Sequence, residues 1–590
     1  MRASVLARRL LVAQNVLAIN MNNRANKRTT AESLPSLPNV PNYSISTPVD
    51  HFNTSNTDTY LNRFFINDTY YKMGGPVIVF DFGESGISPL AAAWFLADYN
   101  GTKSVATSLA AELNGVVVGW EHRYYGYSRP VPLNDTSGLP LADAPGYMYL
   151  TVEQALEDVV YFANNFNQTT LGENRVLNST TNLGPYQTPW IFVGGSYPGA
   201  RAVWIRLTHP EIIYASWASS GPMETRSDGS IYFDPITRAL PKNCTNDIEA
   251  VVKYVDQVIQ SGSQTELEAI QIAGYFVENP DALANDTYQK SFSVTPFFIG
   301  GALSSALSFS SAYQNLGAAH TTQVFCDQME SFDVHTFLQD FSKMQSLANE
   351  SQVVFEGNDS SNNNSSSNNN NSNNGAAVAF YAYAYGLFQA NAVFANFRET
   401  LPQDMTFTDE VDAVSWKWQS LTQVGYFQGS NTSDSYTVLS EYYNVSAVRA
   451  EEIIASTFAD FPQSSIPPTI NNSWLQSLGG WNVQASNVMF TNGEFDPWRA
   501  FGVASQAEDV GAPNRAITQD VPACNQVSNG TDVFGLVYPG AVHAEDMLTP
   551  TYDRGARNSS EPREDGVGLF VKAWNVWSPC FGQSSDQDGF

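Results

Sequence analysis

The sequence predicts an α/β chain in which a parallel sheet with crossover helices is interrupted by a large, mostly helical insertion. Two observations carry this. From about Pro76, short apolar runs of strand length alternate with stretches of helical spacing, the pattern of βαβ succession. Between about residues 224 and 474 that rhythm gives way to helical patterning, and afterwards it resumes.

Residues 1–45 read as a leader. Arg2, Arg8 and Arg9 precede the apolar stretch Leu10 to Ile19, which has the character of a signal-peptide core. The polar, proline-bearing residues 20–45 resemble a pro-segment. Residues 46–223 form the first part of the sheet domain. Val77-Ile78-Val79-Phe80 is a buried-strand run ending at the turn Gly83-Glu84-Ser85-Gly86. Gly115 to Gly119 is a second run, ending at Glu121-His122-Arg123-Tyr124-Tyr125-Gly126. Thr151 to Phe166 carries Val152, Ala155, Leu156, Val159 and Phe162 at helical intervals. Trp190 to Val193 is a third strand and Ala215 to Ser219 a fourth. The insertion, 224–474, holds the tract Asn358 to Asn374, almost pure Asn and Ser. Such a tract cannot bury apolar surface, so 357–375 is expected to be a disordered surface loop. Residues 475–590 resume the sheet with Val488 to Phe490 and Val533 to Tyr538, then a helix near Gly566 to Trp577.

Composition removes several function classes. The chain has 590 residues, 43% hydrophobic and 13% aromatic, enough for a packed core and too rich for disorder. Its net charge, 29 − 58 = −29, repels nucleic-acid phosphates and anionic membranes. No later run of ~18 apolar residues suggests a membrane span. The cysteines Cys244, Cys326, Cys524 and Cys580 form no CxxC pair and have no histidine at zinc-ligand spacing, so neither a metal site nor a cofactor is expected. Of the three possible connectivities, Cys244–Cys326 and Cys524–Cys580 each close within one proposed domain. Acceptor triplets for N-glycosylation recur along the whole chain, among them Asn53, Asn67, Asn100, Asn134, Asn167, Asn178, Asn243, Asn285 and Asn529. Their spread favours the secretory route, with an extracellular or vacuolar-lysosomal destination.

The chemistry is concentrated around one serine. Ser196 lies in Gly194-Gly195-Ser196-Tyr197-Pro198-Gly199, directly after a buried strand and before a helical stretch. That is the setting of a nucleophile elbow in the α/β-hydrolase fold, where a sharp turn lifts the hydroxyl above the sheet. The helix N-terminus adds partial positive charge, and the Tyr197 N–H can donate to a developing oxyanion. A second donor is expected from Gly83 or Glu84. Pro198 breaks the generic G-x-S-x-G pattern, so an ordinary Gly-Ser turn is the bland alternative. Of six histidines, His51 and His122 precede the serine and fail the Ser–acid–His order. His209 ends the helix after the elbow, and His320 and His335 lie in the insertion. His543, after a strand in the resumed sheet, remains. Asp496, in Asn492-Gly493-Glu494-Phe495-Asp496-Pro497-Trp498, is the candidate acid, with Glu494 and then Asp546 as competitors.

These stretches, with Asp50-His51-Phe52, Tyr149 to Leu156, Trp416-Lys417-Trp418-Gln419 and Gly425-Tyr426-Phe427-Gln428, resemble the serine carboxypeptidase S28 family, and the chain reads as a fungal member. The resemblance covers about 46–575. It implies a peptidase acting on peptides or proteins next to proline, a triad of Ser196, Asp496 and His543, and a helical cap over the cleft. It also implies that Trp498 walls the substrate pocket and that Ala200, smaller than its counterpart in some members, widens it. Two departures stand out: Leu421 and Gln423 occupy places where relatives have a cysteine and an acid. An esterase or lipase of the same fold is the competing enzyme reading, and an inactive secreted binding glycoprotein the third.

Overall fold

The structure, a computed structural model, describes residues 37–99, 103–132, 146–166, 182–263, 410–431, 438–455, 466–528, 531–548 and 561–583, together with 266–267, 325–327, 329–331 and 383. Its frame is a nine-stranded sheet. In chain order the described strands, of which all but β7 and β8 belong to this sheet, are β1 (Asn42–Pro48), β2 (Thr59–Asn67), β3 (Val77–Asp81), β4 (Val116–Trp120), β5 (Trp190–Gly195), β6 (Ala215–Ser219), β7 (Arg226–Asp228), β8 (Gly425–Phe427), β9 (Val488–Gly493), β10 (Ile517–Thr518) and β11 (Val533–Tyr538). The order across the sheet is β1-β2-β4-β3-β5-β6-β9-β11-β10. Strands from β4 to β10 run parallel, while β1 and β2 pair antiparallel at one edge. This is the mixed sheet of an α/β-hydrolase.

The helices that flank it are α1 (Pro89–Leu96), α2 (Val105–Leu113), α3 (Val152–Asn165), α4 (Tyr197–Thr208) and, at the C-terminal end, Glu561–Trp577. Ser88, Ser104 and Thr151 cap the first three by accepting N–H bonds from Ala91, Thr107 and Gln154. Every residue of β3 and β4 is buried, as expected of strands covered on both faces. Alternation sorts them: Val77 and Val79 pack with α3 and α4, whereas Ile78 and Phe80 pack with α1, α2 and the C-terminal helix.

Between β6 and β9 the described residues add no strand to this sheet. They include helices α5 (Lys242–Ser261) and α6 (Glu410–Gln419), and the parallel pair β7–β8, which lies outside it. That small pair, the β1–β2 hairpin and β10 were not expected; β1, β7 and β10 carry no continuous apolar run, and β2 has one only at Phe64 to Ile66. β1 starts at Asn42, inside the stretch expected to be leader. The C-terminal helix, α7 (Glu561–Trp577), begins five residues before the expected start at Gly566. The Asn/Ser tract lies outside the described residues. Disulfides join Cys244 to Cys326 and Cys524 to Cys580. Asn53 and Asn243 are exposed, and Asn67 is partly buried with its amide donating to Leu96 O (2.6 Å). The other named acceptor sites, Asn100, Asn134, Asn167, Asn178, Asn285 and Asn529, fall outside the described residues. No described helix is long and apolar enough to cross a membrane.

A buried charge cluster fastens the edge hairpin to the core. The Arg123 guanidinium donates to Asp158 through Nε (2.6 Å) and Nη2 (2.7 Å), and to Tyr149 O (2.8 Å). His51 Nε2 and the Tyr60 hydroxyl complete the shell of Asp158, at 2.7 and 2.9 Å. Burial would push the Asp158 carboxyl up, but Arg123 and His51 outweigh it and hold it below the ordinary carboxylate range. A depressed native pKa contributes stability above the unfolded value, lost only as pH falls through the native one. The cluster therefore stays charged in acid. Asp158→Ala would strand a fully buried guanidinium, and should cost about 3–5 kcal/mol. Urea unfolding at pH 4.5 and 7 should show the loss at both.

Candidate active site

Register aligns the C-terminal ends of the central strands: Gly195 on β5 pairs with Ser219 on β6, and Ser219 with Thr491 on β9. The site is built on these ends. Ser196 sits between β5 and α4 with φ 68° and ψ −133°, a backbone region that a non-glycine residue rarely adopts. Its N–H donates to Ser219 O (2.9 Å), and its carbonyl accepts from Ala200 N (3.1 Å). The turn tolerates no bulk beneath it. A Cβ on Gly194 would lie 2.4 Å from the Pro198 carbonyl, and one on Gly199 would lie 2.4 Å from Ser219 O. As the first residue of α4, Tyr197 presents an N–H with no partner within the helix.

Asp496 follows β9 and is fully buried. Its Oδ1 receives His543 Nδ1 (2.8 Å) and Trp498 N–H (2.9 Å), and its Oδ2 accepts from Asn492 Nδ2 (3.2 Å). Glu494 turns the other way and accepts the Gly540 N–H (2.7 Å). The structure thus brings Asp496 to His543 and leaves Glu494 apart. The histidine loop leans on the elbow: a Cβ on Gly195 would meet Met547 Cγ at 2.8 Å and Ala544 Cβ at 3.2 Å. Burial pulls the His543 pKa down, but the Asp496 charge and hydrogen bond, with Glu84 and Asp546, outweigh it and raise it.

Of the two amides considered beside Tyr197, that of Gly83 is engaged, donating to Asp81 Oδ1 (3.2 Å). Asp81 is itself held by Arg201 Nη1 (2.7 Å). The Glu84 amide is engaged as well, with its own carboxylate. The Glu84 side chain has a buried Oε2 without a hydrogen-bond partner. Burial pushes its carboxyl up to about 7, against the pull of its own backbone and of His543.

Beside His543 stands an aromatic wall. The half-buried Trp498 lies 5.0 Å from Tyr232, 5.3 Å from Tyr426, 5.4 Å from Phe501 and 6.4 Å from the His543 ring, centroid to centroid. Tyr426 holds a left-handed backbone (φ 64°) while its hydroxyl donates to Pro222 O (2.8 Å). Sequence reasoning quoted Tyr426 only as part of a motif and passed over Tyr232. Ala200 is fully buried in the core beneath the elbow, where its backbone lies against Gly221.

The other motif residues form supports. The Tyr197 hydroxyl meets Gln419 Nε2 (2.9 Å) and His122 Nε2 (3.2 Å), and the Tyr125 hydroxyl donates to Gln419 Oε1 (2.5 Å). Gln423 accepts the Val152 N–H (2.8 Å) and donates to Glu153 (3.0 Å), so an amide serves the N-terminus of α3 at a position where an acid was expected. Leu421 is core. His209 pairs with Glu157 (3.1 Å), and His320 and His335 lie outside the described residues.

Comparison with known proteins identifies the family. The family model "Serine carboxypeptidase S28" matches residues 47–519, a stretch that ends before His543. "Serine protease vicPb" of Bipolaris victoriae is 24% identical, over 82% of this chain and 83% of that protein. Human "Lysosomal Pro-X carboxypeptidase" is 24% identical, over 82% of each chain. A "Probable extracellular serine carboxypeptidase" of Arthroderma benhamiae is 33% identical, over 40% of this chain and 31% of that one. With a family model spanning most of its length, this chain belongs to the serine carboxypeptidase S28 family and is a serine-type peptidase.

Proposed function

We propose that the protein hydrolyses peptide bonds next to proline through Ser196, His543 and Asp496, by way of an acyl-enzyme, after delivery to the secretory pathway. The observation that carries this is the Asp496–His543 hydrogen bond (2.8 Å) on a loop packed against the turn that bears Ser196. With Nδ1 held by Asp496, Nε2 is the ring nitrogen free to take the Ser196 proton as Oγ attacks the substrate carbonyl. The N–H of Tyr197, at the start of α4, then receives the oxyanion. Return of the proton to the departing amine leaves the acyl group on Ser196, and water, activated by the same imidazole, releases it.

Labelling with a fluorophosphonate, followed by peptide mapping, should place the adduct on Ser196. Mass spectrometry of products from one long proline-containing peptide should show cleavage beside proline, at a rate exceeding that on nitrophenyl esters. Fast esters with an uncut peptide would favour the esterase reading.

Proline specificity is assigned to the wall of Trp498, Tyr232 and Tyr426. A flat indole buries a compact, rigid ring with little entropy lost. Trp498→Ala should lower kcat/KM on a proline substrate ~10²-fold, or ~3 kcal/mol, and on an alanine analogue much less. Equal losses on both, with unchanged melting, would mean that the ring positions Asp496 and does not read proline.

A further inference from the structure

We infer that Asp546 is a positioning residue for His543, the buried post that fixes the histidine loop to β9 and to β6, the strand paired with the one that bears the nucleophile turn. The inference rests on the triad reading given above.

Asp546 lies three residues past His543 and is only 2% exposed. Its two oxygens are divided between strands. Oδ1 accepts from the Ser219 hydroxyl at the end of β6, and Oδ2 accepts from the Thr491 hydroxyl on β9. Ser219 is also the residue whose carbonyl accepts the Ser196 N–H (2.9 Å). Thr491 is in turn oriented by the Trp217 indole N–H (2.9 Å), and its carbonyl accepts the Ser220 N–H (2.7 Å). Ser220 closes the circuit, for its hydroxyl accepts the Ala544 N–H (2.9 Å).

Two paths therefore join the histidine loop to the elbow, one through Asp546 and one through Ala544. The local backbone is under strain where they meet. Ser196, Ser220 and Ala544 all hold positive φ, at 68°, 51° and 49°. Such conformations persist only where the surroundings over-determine them. A carboxylate suits the task because it accepts two hydroxyl protons at once, and an asparagine offers a single acceptor. His543 is faced by Asp496, Glu84 and Asp546, and Asp546 in turn by Glu545 and Tyr538. Asp546 does not touch the imidazole nitrogen that Asp496 holds, so its effect runs through the loop and its charge.

The test compares Asp546→Asn with the double variant Ser219→Ala/Thr491→Val, each titrated for active sites with a fluorophosphonate. Both should lower kcat about 10²-fold with KM nearly unchanged, the scale of a misplaced catalytic group. Only Asp546→Asn should also move the acid limb of kcat/KM to lower pH, because it alone removes a negative charge that favours imidazolium. If Asp546→Asn keeps normal kcat per titrated site and an unmoved limb, the inference fails while the triad stands. Asp496→Asn, run alongside, tests the other reading: if it is nearly silent and Asp546→Asn costs more, Asp546 is the triad acid and the present assignment falls.

Discussion

Ser196→Ala should lower kcat by about 10⁴-fold or more and leave the protein folded. The hydroxyl makes no capping bond to α4, so its loss breaks no contact that holds the turn. What remains is the oxyanion donor and substrate binding, which alone sustain a small residual rate. A companion variant separates chemistry from architecture. Ser196→Gly should be as inactive, yet melt higher than wild type, because glycine adopts φ 68° without the strain, of order 1–3 kcal/mol, borne by a residue with a Cβ. Near-normal turnover of either variant on a proline peptide would remove Ser196 from the mechanism.

Asp496→Asn is the second large effect, about 10⁴-fold in kcat. Three donors converge on this carboxylate, from His543, Trp498 and Asn492. An asparagine cannot accept them all, and its amide nitrogen facing Nδ1 would favour the tautomer whose Nε2 already carries a proton. Such an imidazole cannot take one from serine. The pH profile adds a sign. Asp496 is the main influence raising the His543 pKa against burial, so its neutralisation should move the acid limb of the residual kcat/KM to lower pH. Glu494→Gln should cost less than tenfold, since a glutamine oxygen can still accept the Gly540 N–H. The reverse ranking, measured on one substrate, would make Glu494 the acid.

The central sheet was legible because its strands are buried on both faces and announce themselves as apolar runs. β6 and β11 fall on the expected residues, and β3, β4, β5 and β9 differ by a residue or a few. The edge hairpin β1–β2 was not, since outside Phe64 to Ile66 exposed and partly buried residues interrupt its buried ones and dilute the apolar signal. At the site, chain order and strand position pointed to Ser196, Asp496 and His543 before any geometry. Their supports were invisible for a reason of distance. Ser219 and Asp546 are 327 residues apart, and Tyr125 and Gln419 are 294 apart, so no local pattern joins them.

Strand order also dictates a timetable for the ribosome. β9 docks on β6, yet 487 − 219 = 268 residues separate the end of one from the start of the other. At 5–20 residues per second, translation of that gap takes on the order of 10–50 s. Throughout it the half-made sheet presents β6, with Trp217, as an unpaired edge of the kind that templates aggregation. The nucleophile turn is complete in that interval, but Asp496 and His543 have not been synthesised. Until β9 is made the growing chain has an open sheet edge to protect, and β9 covers that edge before the histidine loop follows it.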